Sequence, residues 1–534
     1  MSAPRLIDQH GRPLQASLRR SPARASSAHH AGDRFRQELA DWYPFLGSAD
    51  ADFLPERETI AARIHDLARN DGWASGALQK HLDNVVGAMF TLQAEPDWRA
   101  LGQTKEWADD WSQQVESLWT SYAHDPDFHC DAKRERSMVA LFGLMYRHRI
   151  LDGENLGLLL WLAERQGAGR YATTLQVIDP DRLSNPYDDA DREFLRGGIE
   201  LGIYGEPLAY HIRKTHPGDI LGYAVVGRRF EWERVPRETS FGRRIVIHDF
   251  EPDRAGQTRG KSPLTPIVKK LKMLGTYDEA ELGAAVLNAI FAAFITSPFD
   301  HEMVTGAMQT EALPAYQDQR AAFHEDSRLR LGGVRIPILF PGEDFKMNTA
   351  TRPAEAYAPF EEAALRNVAT AAGLSYEQLA MDWSKTNYSS ARAGLLEVWK
   401  FMTARRGYFA EQAARPVYAA WLEEAIDLGD VELPPGAPDF QDAKAAWTRC
   451  SWTGPGRGWV DPVKEAQGAV IRMEAGISTL KRECAEQGLD WREVLAQRKR
   501  ELDEMARLGL PRMDWTQAQA AGSPAAPDEP ESTR

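Results

Sequence analysis

Between Arg57 and Gly87, apolar residues at Ile60, Ile64, Leu67, Leu78, Leu82, Val85 and Val86 recur largely at helical spacing. The same pattern runs from 105 to 123 and from 131 to 149. The first third of the chain is therefore predicted to be helical. From Asn155 the pattern shortens to strand-like runs at 158–162 and 173–178. Two more, at 199–203 and 208–212, flank Tyr204-Gly-Glu-Pro207 as a hairpin. A further strand, 244–250, leads into a glycine-containing turn at 254–260. Residues 263–296 then read as one long helix, ~50 Å at 1.5 Å per residue.

Residues 297–355 are mixed, with a strand pair predicted on either side of Pro341-Gly342, from Val334 to Phe340 and from Phe345 onward. Helical patterning resumes at 354–372, stops at Gly373, and resumes from about 390 to 428. The polar loop between them, 374–389, is a place where function could sit. A Pro/Gly-rich connector, 433–458, precedes a last helical region, 461–508. The termini, 1–32 with Arg19, Arg20 and Arg24 and the acidic 516–534, lack apolar periodicity and read as disordered tails. The fold class expected is α+β, mainly helical. At 534 residues, two to four domains or one body with long excursions are expected.

Composition narrows the function. The three cysteines, Cys130, Cys450 and Cys484, are scattered, offer no metal-ligand spacing and read as ordinary thiols of a reducing compartment. No apolar run follows the basic residues of the N-terminus, so no secretory signal is expected. The longest apolar stretch, 284–295, falls short of the ~20 residues a bilayer requires, so no membrane partner is expected. A net charge of −14 argues against tight wrapping of nucleic acid, which relies on neutralised phosphates. It is compatible with DNA as a cargo that must slide.

The candidate chemistry is thin. Ala255-Gly-Gln-Thr-Arg-Gly-Lys261-Ser262 matches a loose P-loop between a strand and a helix. Pro263 and Pro266 fall where the phosphate-binding helix would begin, and no partner strand ends in a Mg²⁺-binding carboxylate. A tight turn before a helix is the competing reading. Asp300-His-Glu302 and His211/His216 lack metalloprotease spacing, and no Gly-x-Ser-x-Gly elbow is present. His248 after an apolar strand reads as a structural histidine. Trp107, Trp111 and Trp119 share a helical face, which points to core or interface packing ahead of a stacking platform for bases. No catalytic residue, metal or cofactor is assigned.

Several motifs occur in one order along the chain. They begin with Leu82-Asp-Asn-Val-Val-Gly87, Leu151-Asp-Gly-Glu154 and Ile178-Asp-Pro-Asp-Arg-Leu183. Gly198-Ile-Glu200, Gly205-Glu-Pro-Leu-Ala-Tyr210, His248-Asp-Phe250 with Arg254, and Gly256-Gln-Thr-Arg-Gly-Lys-Ser262 follow. Phe340-Pro-Gly-Glu343, Asn387-Tyr-Ser-Ser-Ala-Arg392 and Gly458-Trp-Val-Asp-Pro-Val-Lys-Glu465 complete the series. In this order, across roughly residues 57 to 470, the chain resembles the lambda-type family of phage portal proteins.

The resemblance implies a ring, usually of twelve subunits, around a DNA channel, with wing, stem, clip and crown regions. Mapped by order, 33–262 is wing, 263–296 and 354–373 are stem helices, and 297–353 is the clip. The tunnel loop is 374–389, a long wing helix spans 390–432 and kinks, and connector and crown helices occupy 433–515. The resemblance implies that Trp383, Ser384, Lys385, Thr386, Asn387 and Tyr388 approach double-stranded DNA most closely. The competing assignment pairs Lys385 with a neighbouring carboxylate and packs Tyr388 at a subunit interface. Arg335, Phe340, Pro341, Gly342 and Glu343 are the clip residues expected to meet the terminase large subunit and then head-completion or tail adaptor proteins. Major capsid and scaffold proteins are further expected partners, and the virion and host cytoplasm the expected locations. Rival readings are a nucleotide hydrolase using Lys261 and Ser262, and a capsid scaffold or adaptor without a channel.

Overall fold

The computed structural model describes residues 41–165, 169–219, 230–291, 357–458 and 461–511, together with Leu39, Ala322 and short strands at 330–331 and 334–335. The chain begins with α1 (Ala49–Phe53), α2 (Arg57–Asn70) and α3 (Gly72–Val85). The helical run expected over 57–87 is thus broken at Asp71, whose backbone is extended and whose carboxylate accepts the Ala74 N–H at 2.8 Å, capping α3. After β1 (Thr91–Ala94), α4 (Lys105–Ala123) forms where the pattern places it. The next helix, α5 (Met138–Leu151), starts later than 131. The Asp131 carboxylate accepts the N–H groups of Lys133, Glu135 and Arg136, and its backbone bridges to Leu175, which withdraws this stretch from the helix.

Two antiparallel sheets follow, built from β2 (Glu154–Trp161), β3 (Thr173–Ile178), β4 (Leu195–Arg196), β5 (Ile199–Leu201), β6 (Pro207–Arg213), β7 (Trp232–Pro236) and β8 (Val246–Phe250). One sheet has the order β3-β2-β8 and the other β4-β5-β6-β7. The predicted hairpin is β5–β6, with a bulge at Glu200/Leu201. Period-two alternation decides the layering. Leu156 and Leu158 pack into a core with Ile178, Ile199, Tyr210 and Val246, whereas Leu159, Leu175 and Ile247 join the large helical core. The three-stranded sheet is therefore the middle layer, helices on one face and the four-stranded sheet on the other.

A 3₁₀ turn at Thr265–Ile267, holding Pro266, precedes α6 (Val268–Phe291), so the long helix begins later than 263. Its 24 described residues extend ~36 Å. The strand expected at 334–340 is described only as β10 (Val334–Arg335), which pairs backward with β9 (Arg330–Leu331). Pro341-Gly342, most of 297–353 and both predicted tails lie outside the described residues. Then α7 (Tyr357–Ala372) ends at Gly373, with φ +68°. A Cβ there would lie 2.5 Å from the Phe401 ring, so glycine alone fits.

The loop expected over 374–389 contains a further helix, α8 (Tyr376–Ala380). After it, α9 (Tyr388–Phe409), a π-helical turn at Ala410–Ala414 and α10 (Arg415–Asp427) follow without interruption. Pro416 explains the π turn, because it has no N–H and its ring would crowd the preceding turn of an α-helix. The connector at 433–458 holds α11 (Lys444–Trp447) and β11 (Cys450–Thr453), the latter antiparallel to β1 with Thr91 opposite Thr453. The last region is divided into α12 (Pro462–Glu474), α13 (Leu480–Glu486) and α14 (Trp491–Arg507). No helix among the described residues is long and apolar enough to cross a membrane.

The tryptophans of α4 serve the core. Trp111 lies 5.7 Å from Trp447, and Trp119 makes edge contacts with Trp421 at 5.3 Å and Trp452 at 5.8 Å. Trp111, Trp119, Trp421 and Trp447 are all buried, so α4, α10 and the 444–453 segment share one aromatic cluster. Trp421→Ala is expected to destabilise the protein by about 3–5 kcal/mol through the cavity it leaves, measured by chemical denaturation.

Candidate channel loop and its supporting junction

Four of the motifs singled out in sequence converge on one buried carboxylate. Glu154 opens β2 and is completely buried. Arg259 donates to it from Nε at 2.7 Å and also from Nη2, and the Gly260 N–H reaches it at 2.8 Å. His248 Nε2 lies at 2.9 Å and Arg57 Nη2 at 3.3 Å. The Arg259 and Arg57 charges and these hydrogen bonds outweigh desolvation and hold the carboxyl well below its ordinary range. The spare donors of Arg259 bind the carbonyls of Leu183 and Gly197 at 2.7 Å and of Pro180 at 3.0 Å. The helical layer, both sheets and the segment leading to α6 are thus joined at one point.

Two neighbouring pairs extend the junction. Arg149 meets Asp249 at 2.9 Å, and Asn155 donates to the same carboxylate at 2.8 Å. Asp152, also buried, lies between His65 Nε2 at 2.5 Å and His148 Nδ1 at 2.8 Å. The Asp152 hydrogen bond raises the His65 pKa, and those of His148 and His65 lower that of Asp152 against its burial. His248, expected to be structural, lies within β8 and is engaged by Glu154. Gly153, at φ +85°, brings β2 against the Lys261–Ser262 backbone; a Cβ would lie 2.2 Å from the Lys261 carbonyl carbon.

The P-loop-like segment is occupied by the protein itself. Its Gly260 N–H, which would face a phosphate, already binds Glu154. The Lys261 ammonium pairs with Asp253, and the buried Ser262 hydroxyl donates to the Ile150 carbonyl at 2.6 Å. Three groups among the described residues have metal-ligand spacing: His65/Asp152/Asp181, Asp125/Asp127/His129 and Asp179/Asp181/His216. In the first two the histidine already bonds its carboxylate partner. In the third, His216 Nδ1 accepts the Gly218 N–H at 2.9 Å. The neutral ring then carries its proton on Nε2, the reverse of a ligand's needs.

The predicted DNA-facing residues lie together in the turn between α8 and α9. Met381, at φ +55°, ends α8. Asp382 then accepts both the N–H and the hydroxyl of Ser384, at 3.0 and 2.7 Å, and the Thr386 N–H closes the turn on the Trp383 carbonyl at 3.2 Å. Asn387 caps α9 by accepting the Ser390 N–H at 2.9 Å, and Tyr388 is the first residue of that helix. Trp383, Ser384, Lys385 and Asn387 are exposed, while Thr386 is half-buried. Lys385 pairs with Glu362 of α7 at 2.9 Å, and Glu362 also accepts from Arg366 at 2.6 Å. Of the two assignments open for Lys385, a carboxylate partner is therefore present within the single chain. The end of α7 is held by His81 of α3, whose Nε2 donates to the Ala372 carbonyl at 2.6 Å; burial pushes its pKa down to about 4. Arg335 lies in β10, and Phe340, Pro341, Gly342 and Glu343 lie outside the described residues.

The junction residues Arg57, Asp152, Glu154 and Arg259 were not assigned a role from sequence, although all but Arg57 lie in the quoted motifs. Spacing cannot reveal a cluster whose members are separated by up to 202 positions, from Arg57 to Arg259.

Comparison with known proteins fixes the class. The family model described as phage portal protein, lambda family, matches residues 35–406. The chain belongs to this family. It is 35% identical over 499 residues to portal protein B of Escherichia phage lambda, covering 92% of each chain. The portal protein of Escherichia phage N15 is similar to the same extent, 35% over 92% of each chain. Among solved structures, the neck of an empty gene transfer agent particle aligns over 84% of this chain and 94% of its own, at 12% identity and a TM-score of 0.42.

Removing the central charge should be costly. Glu154→Gln is expected to lose about 3–5 kcal/mol in denaturant unfolding, because Arg57 and Arg259 remain buried without their counter-charge. The His65–Asp152 pair confers a pH window. The raised His65 pKa contributes stability that is complete below the ordinary histidine value and is lost as pH rises through the folded pKa. The lowered Asp152 pKa contributes stability that is present above the ordinary carboxylate value and is lost as pH falls through the folded pKa. Melting temperature scanned against pH should therefore decline on both sides, and His65→Gln should flatten the alkaline side.

Proposed function

We propose that this chain is the subunit of a portal ring at one capsid vertex of a tailed phage, through which double-stranded DNA enters during packaging and leaves at ejection. The observation that carries the reading is the similarity to two phage portal proteins over 92% of both chains. On this reading 33–262 form the wing, the helices over 263–296 and 354–373 the stem, 297–353 the clip, 374–389 the tunnel loop, 390–432 the long wing helix and 433–515 the connector and crown. The exposed turn tied to α7 through Lys385 and Glu362 supports the tunnel-loop role. Such an exposed pair is weak and screened by salt, so Lys385 can exchange a carboxylate for a passing phosphate. Together with an acidic body, one such lysine per subunit favours sliding over capture.

The portal performs no bond chemistry in this scheme and needs no cofactor; the motor supplies the work. The clip docks the terminase large subunit during filling and head-completion or tail adaptor proteins afterward, while the wing meets major capsid and scaffold proteins. Assembly takes place in the host cytoplasm and the product resides in the virion. The occupied Gly260 N–H and buried Ser262 disfavour the rival hydrolase.

Native mass and end-on electron-microscope averages of the purified chain test the reading. The expected result is a closed ring near 12 × 59.9 kDa = 718.8 kDa, with a hole wider than the ~20 Å duplex. A stable monomer or dimer across salt concentrations would sink it, and ATP turnover abolished by Lys261→Ala would then favour the hydrolase.

A further inference from the structure

Ahead of α1, residues 42–48 run without helix or strand, and Trp42, Phe45 and Leu46 are exposed by 70%, 87% and 93%. No charged residue occurs between Asp41 and Asp50. The root of this segment is fixed. Ser48 caps α1 by accepting the Ala51 N–H at 3.1 Å. Arg254 donates to the Gly47 carbonyl at 2.6 Å and pairs with Asp52 at 2.8 Å. Asp50 accepts the N–H and hydroxyl of Thr258 at 2.7 and 2.6 Å. The chain therefore leaves Gly47 in a set direction, with Trp42, Phe45 and Leu46 exposed.

Single exposed apolar residues need no explanation, but a run of them does. An aromatic side chain offers about 150–250 Å², so Trp42 and Phe45 with the leucine Leu46 beside them expose roughly 500 Å². That is more than half of the ~800 Å² that each partner contributes to a specific interface. The run has no cation with which to neutralise phosphate, so DNA is a poor occupant. Its six residues from Trp42 to Gly47 reach up to ~20 Å when extended, enough to cross onto an adjacent subunit. A closed ring needs each subunit to present one surface and receive a different one. Ile203 and Tyr204, in the turn between β5 and β6, are exposed apolar side chains on this same chain.

We infer that Trp42, Phe45 and Leu46 form an arm that docks on an apolar surface of the next copy of the chain. The inference rests on the ring reading above and assigns to this arm part of the contact that closes the ring. Fixing its root lowers the ordering cost of docking.

The test compares the full chain with Phe45→Ser/Leu46→Ser by native mass over a dilution series, alongside a chain in which photoreactive p-benzoylphenylalanine replaces Phe45. The expected result is wild-type rings, dissociation of the double variant at a concentration roughly tenfold higher or more, and light-dependent cross-linked chain pairs. Circular dichroism should match wild type, since the substituted side chains are exposed. Wild-type rings accompanied by an unchanged midpoint in the variant, or by no cross-linked pairs, overturn the arm while leaving the ring intact. Absence of rings from the wild-type chain overturns the ring reading itself, and the arm with it.

Discussion

A single buried carboxylate, Glu154, holds the layers of this protein in register. A charge in that position is tolerable only because two guanidiniums, an imidazole and a backbone N–H converge on it. Those donors come from three different stretches of chain. Arg57 begins α2, His248 lies on β8, and Arg259 and Gly260 belong to the segment that leads into α6. Removing the acceptor would leave buried cations, and removing a cation would leave a buried anion. Either loss disturbs every layer at once.

From this point the arrangement of the rest follows. Gly153 allows β2 to lie against residues 261 and 262, which sets where the 3₁₀ turn and α6 begin. Arg259 carries the same constraint into the four-stranded sheet through the Leu183 and Gly197 carbonyls. On the far side of the helical core, α3 grips the end of α7 through His81, and Glu362 of α7 grips the turn before α9. The candidate channel loop is thereby supported from two helices, and its own hydrogen bonds shape it locally. This is a geometry suited to holding a loop at a defined place.

The P-loop-like motif shows how a sequence pattern can be reused. Its glycines and basic residue favour an anion near a turn in any protein. Here the anion is Glu154 of the same chain, so the motif closes the junction and its Gly260 N–H is already engaged. The motif lies within residues 35–406, which the phage portal family model matches.

Local periodicity was sufficient for much of the secondary structure. Residues 105–123, the β5–β6 hairpin and the stop at Gly373 were all legible, because side-chain alternation and a positive φ are local properties. The order of the motifs made the family legible as well. Local signals failed where side chains overrode propensity. Asp71 and Asp131 took backbone N–H groups away from helices, Pro416 converted one turn to a π-helix, and β11 formed only because β1, more than 350 residues earlier, was available to pair with it. The junction itself was decided entirely by tertiary structure. A buried charge is stable only when its partners are assembled around it, and nothing in the spacing of Arg57, Glu154, His248 and Arg259 states that they meet.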